Sequence, residues 1–139
     1  MSIRFNHTIV HSRAKKESAR FLADILGLPE PRSFGHFLVV DLDNEASLDF
    51  IDAGDMEFET QHYAFLIDER DFDRVFERIR ERGLDYWADP FKKQPGEINR
   101  RDGGRGVYFN DPDGHLLEVL TRPYGSGPRS TQENFQPLE

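Results

Sequence analysis

GVYFNDPDGHLLEVL, residues 106–120, holds the most informative stretch of the chain. Val107-Tyr108-Phe109 is short, aromatic and β-branched, so it reads as a strand. Asp111-Pro112-Asp113-Gly114 is a turn, because Pro presets one backbone angle and Gly tolerates the reversal. His115 to Thr121 then returns as a second strand. Side chains alternate along it, setting Leu117 and Val119 on one face and Leu116, Glu118 and Leu120 on the other. A carboxylate therefore sits mid-strand among apolar neighbours. Such a group costs several kcal/mol unless it is paired or bound to a cation, by the general cost of burying charge.

Working outward, the same grammar recurs. Residues 3–11 alternate as a strand, with Ile3, Phe5, His7, Ile9 and His11 on one face. Residues 13–26 follow a helical period, with Ala14, Ser18, Phe21, Leu22 and Ile25 along one stripe, and Gly27 ends the helix. Residues 34–42 and 46–52 read as two more strands around a turn at Asp43-Asn44. A second round begins with a strand at 60–67 and a helix at 70–82, whose stripe is Phe72, Val75, Phe76 and Ile79. Gly83 stops that helix. Gly27 follows His7 by 20 residues and Gly83 follows His62 by 21, a repeat of architecture without a repeat of sequence. The expected fold is α+β: two βαβββ modules, about 3–55 and 58–124, with curved, mainly antiparallel sheets and helices outside. They form one domain over 1–124. Residues 123–139 are rich in Pro, Gly, Ser and Gln, and 125–139 are expected to be a flexible tail.

Composition narrows the function. The chain has 139 residues, no cysteine and a net charge of −8. Disulfides and thiolate chemistry are excluded. The acidic balance disfavours nucleic acid as a partner. No run is long and apolar enough to span a bilayer, and the N-terminus lacks the pattern of a signal peptide, so the expectation is a cytoplasmic protein with no membrane partner.

Parity supplies the candidate site. His7 lies on the first strand of its module. On the strand at 46–52, Leu48 and Phe50 face a covering helix and Asp49 faces away. His62 opposes Tyr63, Phe65 and Ile67. Each half thus carries one His on its first strand and one carboxylate on its last. Two imidazoles with one or two carboxylates suit Fe(II), Mn(II), Ni(II), Co(II) or Zn(II). A strand His alone is more often structural; the matched placement in two halves favours ligation of one divalent ion.

These segments together (FNHTIV, ASLDFID, QHYAFLID and GVYFNDPDGHLLEVL) resemble the vicinal oxygen chelate superfamily, the glyoxalase, bleomycin-resistance and extradiol dioxygenase group, over about residues 3–124. The resemblance implies a glyoxalase-like fold and metal ligands at His7, Asp49, His62 and Glu118, with Glu118 and Asp49 also candidates for catalysis. Position 49 departs from the glyoxalase pattern of Glu or Gln; the shorter Asp would reach an ion directly or through water. The family's chemistry is Lewis-acid chelation of two adjacent substrate oxygens. That leaves lyase or isomerase, extradiol dioxygenase, thiol-transferase and non-enzymatic antibiotic-binding roles open. The substrate is expected to be a small anionic or oxygen-rich molecule. The resemblance also implies a homodimer, either with sites inside each chain or with His7 and Asp49 from one subunit meeting His62 and Glu118 of the other. Only residues 53–59 join the halves, which favours sharing.

Other residues carry two readings. His11 shares the parity of His7 and either lines the cavity or ends a strand at the surface. Arg100, Arg101 and Arg105 flank a glycine pair and either clamp an anionic substrate or are solvated. Tyr86 and Trp87 read as aromatic core rather than cavity wall, and His36 and His115 as structural or exposed.

Overall fold

The computed structural model describes residues 2–127. They fall into two compact units. The first runs to Thr60 and also takes in Asp111–Asp113; the second runs from Gln61 to Asn110 and resumes at Gly114.

The first unit contains β1 (His7–Ser12), α1 (Lys15–Leu26), β2 (Arg32–Phe34), β3 (Phe37–Asp41) and β4 (Ser47–Asp52). Its sheet has the order β1-β4-β3-β2. β1 runs parallel to β4, and the other two pairs are antiparallel. The second unit repeats this with β5 (His62–Leu66), α2 (Glu69–Glu81), β6 (Tyr86–Trp87), β7 (Gly106–Asn110) and β8 (Leu116–Leu120) in the order β5-β8-β7-β6. Again only the first pair, β5 with β8, is parallel. These are the two βαβββ modules of an α+β fold, with open sheets.

Three segments differ from expectation. The expected strand at 3–11 begins only at His7, and Ile3 and Phe5 before it are exposed. β6 forms at Tyr86–Trp87, where aromatic core but no strand is expected. The third is the segment after α1. Residues 34–42 are not continuous: Gly35, at φ 58°, turns the chain between β2 and β3, and Phe34 pairs with Phe37. Alternation passes through such a tight reversal unmarked, because Phe34 and Phe37 look like members of one run.

The helices bury most of the stripes that their periods predict; Ala14 lies just outside α1 as its exposed N-cap residue, and Phe76 is half-buried. Ser18, Phe21, Leu22 and Ile25 of α1 are buried, and α1 packs on β1, β3 and β4. On those strands Val10, Val40, Leu48 and Phe50 are buried. Gly27 closes α1 at φ 68°, a left-handed position that costs glycine nothing. In α2, Phe72, Val75 and Ile79 are buried, and Phe76 meets Tyr86 edge-on at 5.0 Å, so Tyr86 belongs to an aromatic cluster. Each fully buried side chain of this size contributes about 1.5–3 kcal/mol.

No side chain of Ala14 caps α1. Two distant carboxylates do so instead. Asp52 Oδ1 accepts from the Lys15 amide at 2.7 Å. Asp113, from the turn quoted above, accepts from the Arg13 amide at 2.9 Å and from Ser18 Oγ at 2.5 Å. Anionic acceptors suit the positive end of a helix. The segment after β4 is pinned as well: Arg13 Nη1 donates to the carbonyls of Gly54 and Met56 at 2.9 and 2.7 Å, and its guanidinium lies 4.6 Å from the Phe58 ring centroid. Among the described residues no helix is long and apolar enough to cross a membrane.

Candidate metal centre

In the second unit, His62 and Glu118 come together. Ala64 is the register partner of Glu118 across β5 and β8, and His62, two residues earlier, shares its face. His62 Nε2 lies 3.1 Å from Glu118 Oε1. His62 Nδ1 donates to the Leu116 carbonyl at 2.8 Å, which orients the ring and aims Nε2 at the carboxylate. The Glu118 side chain is 1% exposed and that of His62 is 45% exposed. The hydrogen bond to Glu118 is the main cause that raises His62 above the usual imidazole range; partial burial opposes it.

These donors fit a divalent ion. Metal–N and metal–O distances of about 2.0–2.2 Å place two ligands at a right angle about 3.0 Å apart. The observed separation of 3.1 Å is close to that value. An imidazole whose other nitrogen is held by a carbonyl is also the usual form of a metal-ligating histidine.

The far side of Glu118 is a chain of hydroxyls that the sequence reading did not assign. Tyr124 donates a hydrogen bond to Oε2 of Glu118. Tyr124 and Tyr108 are joined through their hydroxyls at 2.8 Å, and Arg101 Nη1 donates to the Tyr108 hydroxyl at 2.9 Å. Arg101 also donates to the Ala88 carbonyl at 3.2 Å. The Tyr108 ring stacks on His62 with centroids 5.9 Å apart. Burial is the first cause, and the carboxylate a further one, that keeps the Tyr124 hydroxyl protonated well above the usual phenol range. Burial likewise raises Tyr108. Tyr108 was legible in principle: it is the register partner of Glu118 across the β7–β8 hairpin, and counting back from the turn finds it. Tyr124 carried no such signal.

Tyr124 is held in place by the start of the segment expected to be a tail. Asp102, itself buried, accepts from the Gly125 and Gly127 amides at 3.2 and 3.0 Å. A Cβ on Gly127 would lie 2.3 Å from the Asp102 Cα, so this close approach requires glycine. Residues 125–127 therefore turn back onto their unit; 128–139 of the expected tail lie outside the described residues.

In the first unit, His7 and Asp49 lie on adjacent strands and share a face. Asp49 pairs with Ile9, and His7 with Ser47. His7 Nδ1 donates to Asn6 Oδ1 at 2.7 Å, so that Nε2 is the nitrogen that could hold a metal, as in His62. Ser47 Oγ donates to Asp49 Oδ1 at 2.7 Å. Arg32 pairs with Asp41 through two bonds of 2.7 and 3.1 Å. Asp41 first, and Asp49 more weakly, raise the Arg32 guanidinium. His11 is partly buried and stacks on Phe58 with centroids 6.0 Å apart.

The three loop arginines have different surroundings. Arg100 is exposed. Arg101 belongs to the hydroxyl chain. Arg105 is 19% exposed and pairs with Glu69 at 2.5 Å and Asp73 at 2.7 Å, with its guanidinium 4.4 Å from the Phe72 ring. Its donors hold α2 to the start of β7. His115 is buried, and its Nδ1 accepts from the Gln61 amide at 2.9 Å, a structural use.

Comparisons with known proteins agree with this architecture. The family model described as Glyoxalase/Bleomycin resistance protein/Dioxygenase superfamily matches residues 4–119. The solved structure of "Oxidase ChaP-H2" is 58% identical with a TM-score of 0.88, covering 92% of this chain and 100% of that one. "Oxidase ChaP-H1" is 61% identical with a TM-score of 0.85, covering 89% and 99%. The metallothiol transferase FosB of Shouchella clausii (strain KSM-K16) is 39% identical over 71 residues, 51% of this chain. That match spans 44% of FosB, less than half its length.

Proposed function

Because this chain belongs to the Glyoxalase/Bleomycin resistance protein/Dioxygenase superfamily, we propose that it is a divalent-metal enzyme that oxidises a small, oxygen-rich molecule with dioxygen. The observation that carries the metal is the 3.1 Å approach of His62 Nε2 to a carboxylate that is 1% exposed. The observation that favours oxidation is likeness to two oxidases at 58% and 61% identity over most of the chain.

In this reading His62 and Glu118 hold the ion with His7, and Asp49 completes the set directly or through water. The ion's identity among Fe, Mn, Ni, Co and Zn is open. When bound, the ion supplies Lewis-acid stabilisation of negative charge on two adjacent substrate oxygens. The chain's own residues do the rest. The carbonyl of Leu116 and the Asn6 amide oxygen keep the two imidazoles in the ligating tautomer. Arg101, at the head of the hydroxyl chain, sets a fixed positive charge behind Glu118, and Arg100 is exposed in the same loop. Substrate contact by His11, Arg100, Arg101 or Arg105 remains part of the proposal, with Arg101 favoured by its place beside Tyr108.

The protein acts as a homodimer in which His7 and Asp49 of one subunit meet His62 and Glu118 of the other. The pinning of residues 54–58 by Arg13 supports this, because it removes slack from the connection between the modules. A second reading, thiol transfer to an antibiotic, is favoured by the FosB match.

Oxygen uptake separates the two. Protein loaded with Fe(II) or Mn(II) is given a catechol, a hemithioacetal, or fosfomycin with a thiol. Metal-dependent oxygen consumption with the vicinal dioxygenated aromatic is expected. Thiol loss with fosfomycin and no oxygen uptake on any polyphenol would replace the first reading by the second.

A further inference from the structure

Resting on the metal reading above, we infer that Tyr124 is a positioning residue that locks the Glu118 carboxylate into coordination through one oxygen, Oε1.

Counting protons fixes the direction of the chain. An ionised carboxylate can only accept, so Tyr124 must donate to Oε2. That uses its single hydroxyl proton. Tyr108 must therefore donate to the Tyr124 oxygen across the 2.8 Å contact. The Tyr108 oxygen in turn accepts from Arg101, a group that never deprotonates in proteins. Every hydroxyl is thus oriented toward Glu118, and the chain ends on a permanent cation.

The consequence is an asymmetric carboxylate. Oε1 faces His62 Nε2 at 3.1 Å, and Oε2 faces the tyrosine. Turning the carboxylate until both oxygens face one ion would pull Oε2 away from Tyr124. That breaks a hydrogen bond to a charged acceptor, the stronger kind. A carboxylate held to one oxygen leaves one more coordination position for substrate, and two adjacent substrate oxygens need two. The seat of Tyr124 is built for this. The Gly125 and Gly127 amides are tied to buried Asp102, and the absence of a side chain at Gly127 permits the contact.

The test uses the full chain loaded with Co(II), comparing wild type with Tyr124→Phe. Co(II) absorption weakens as coordination number rises, so it reports whether the second oxygen has joined the ion. In the variant the band should weaken and shift, and Co(II) affinity by calorimetry should fall about tenfold, the lower end of the range for such supporting partners. A residue that merely packs would lower thermal stability and leave the spectrum alone. An unchanged Co(II) spectrum in Tyr124→Phe overturns the inference, whatever the affinity. If that variant does not fold, Tyr108→Phe carries the test. It should change the spectrum in the same direction by less, and a wild-type spectrum there overturns it equally. Wild-type protein that binds no Co(II) overturns the metal reading itself, and this inference with it.

Discussion

Replacing Glu118 with Gln separates ligation from packing. The amide has the shape of the carboxylate and can still be satisfied where it sits. Its oxygen can accept from Tyr124, and its NH2 can face a neutral His62 Nε2, which lies 3.1 Å from Oε1 in the native protein. With no cavity and no orphaned hydroxyl, the cost to the fold should stay below about 1.5 kcal/mol. On the proposed reading the metal loses an anionic ligand. Removing a supporting partner alone costs 10–100-fold in affinity as a rule, so losing the ligand should cost at least about 100-fold. At a metal concentration of 100 times the wild-type Kd, binding stabilises the native protein by about 2.7 kcal/mol. For a chain of this length each kcal/mol moves Tm by about 4 °C, so the wild type should gain about 11 °C. A variant bound 100-fold more weakly gains about 0.4 kcal/mol, or less than about 2 °C. Thermal melts with and without Mn(II) or Co(II), paired with calorimetry, read both quantities. A Glu118→Gln protein that keeps the wild-type shift would refute the assignment of Glu118 as ligand. One that unfolds without metal would show that the carboxylate is needed for the fold.

Three further outcomes are expected. Asp113→Ala removes two acceptors at the start of α1, and should lower stability by about 2–3 kcal/mol in urea melts, from the loss of a cap and of a charge-assisted bond; a change below about 0.5 kcal/mol would end the capping role. Arg105, foremost, holds Asp73 below the usual carboxylate range, while the Thr121 hydroxyl and then Arg105 do so for Glu69. These folded-state values lie below the unfolded ones, so the contribution is full above about pH 4 and is lost as pH falls through the lowered values. Arg105→Gln should flatten the acid limb of the stability curve, and an unaltered limb would contradict the cause. Finally, mixing His7→Ala protein with Glu118→Ala protein under subunit exchange should restore part of the metal binding; demonstrated exchange with no recovery would place complete sites within single chains.

Much of the architecture was legible because it depends on nearest neighbours. Alternation from His7 to His11, in 46–52 and in 115–121, and the helical stripes at Phe21 and Phe72 need only a polar and an apolar side to each element, whereas the same alternation in Ile3 and Phe5 belongs to no strand. The opposition of Asp49 to Leu48 and Phe50 followed from the period of two. The approach of His62 to Glu118 followed from the same parity once β5 and β8 were neighbours. The break at Gly35 escaped because a tight hairpin leaves the apolar pattern intact.

Selection of partners over long separations belonged to the tertiary structure. Asp113 reads locally as a turn residue, yet its oxygens accept from the Arg13 amide and the Ser18 hydroxyl at the start of a helix about a hundred positions earlier in the chain. Arg105 reads locally as a loop cation, and only the packing of α2 brings Glu69 and Asp73 beside it. Tyr124 falls in a Pro- and Gly-rich stretch that composition assigns to the start of a tail, and only the Asp102 seat turns its hydroxyl onto Glu118. Periodicity records which face of an element is buried. It does not record which of several donors will meet a buried carboxylate, because that depends on chain reversals whose directions are set by packing.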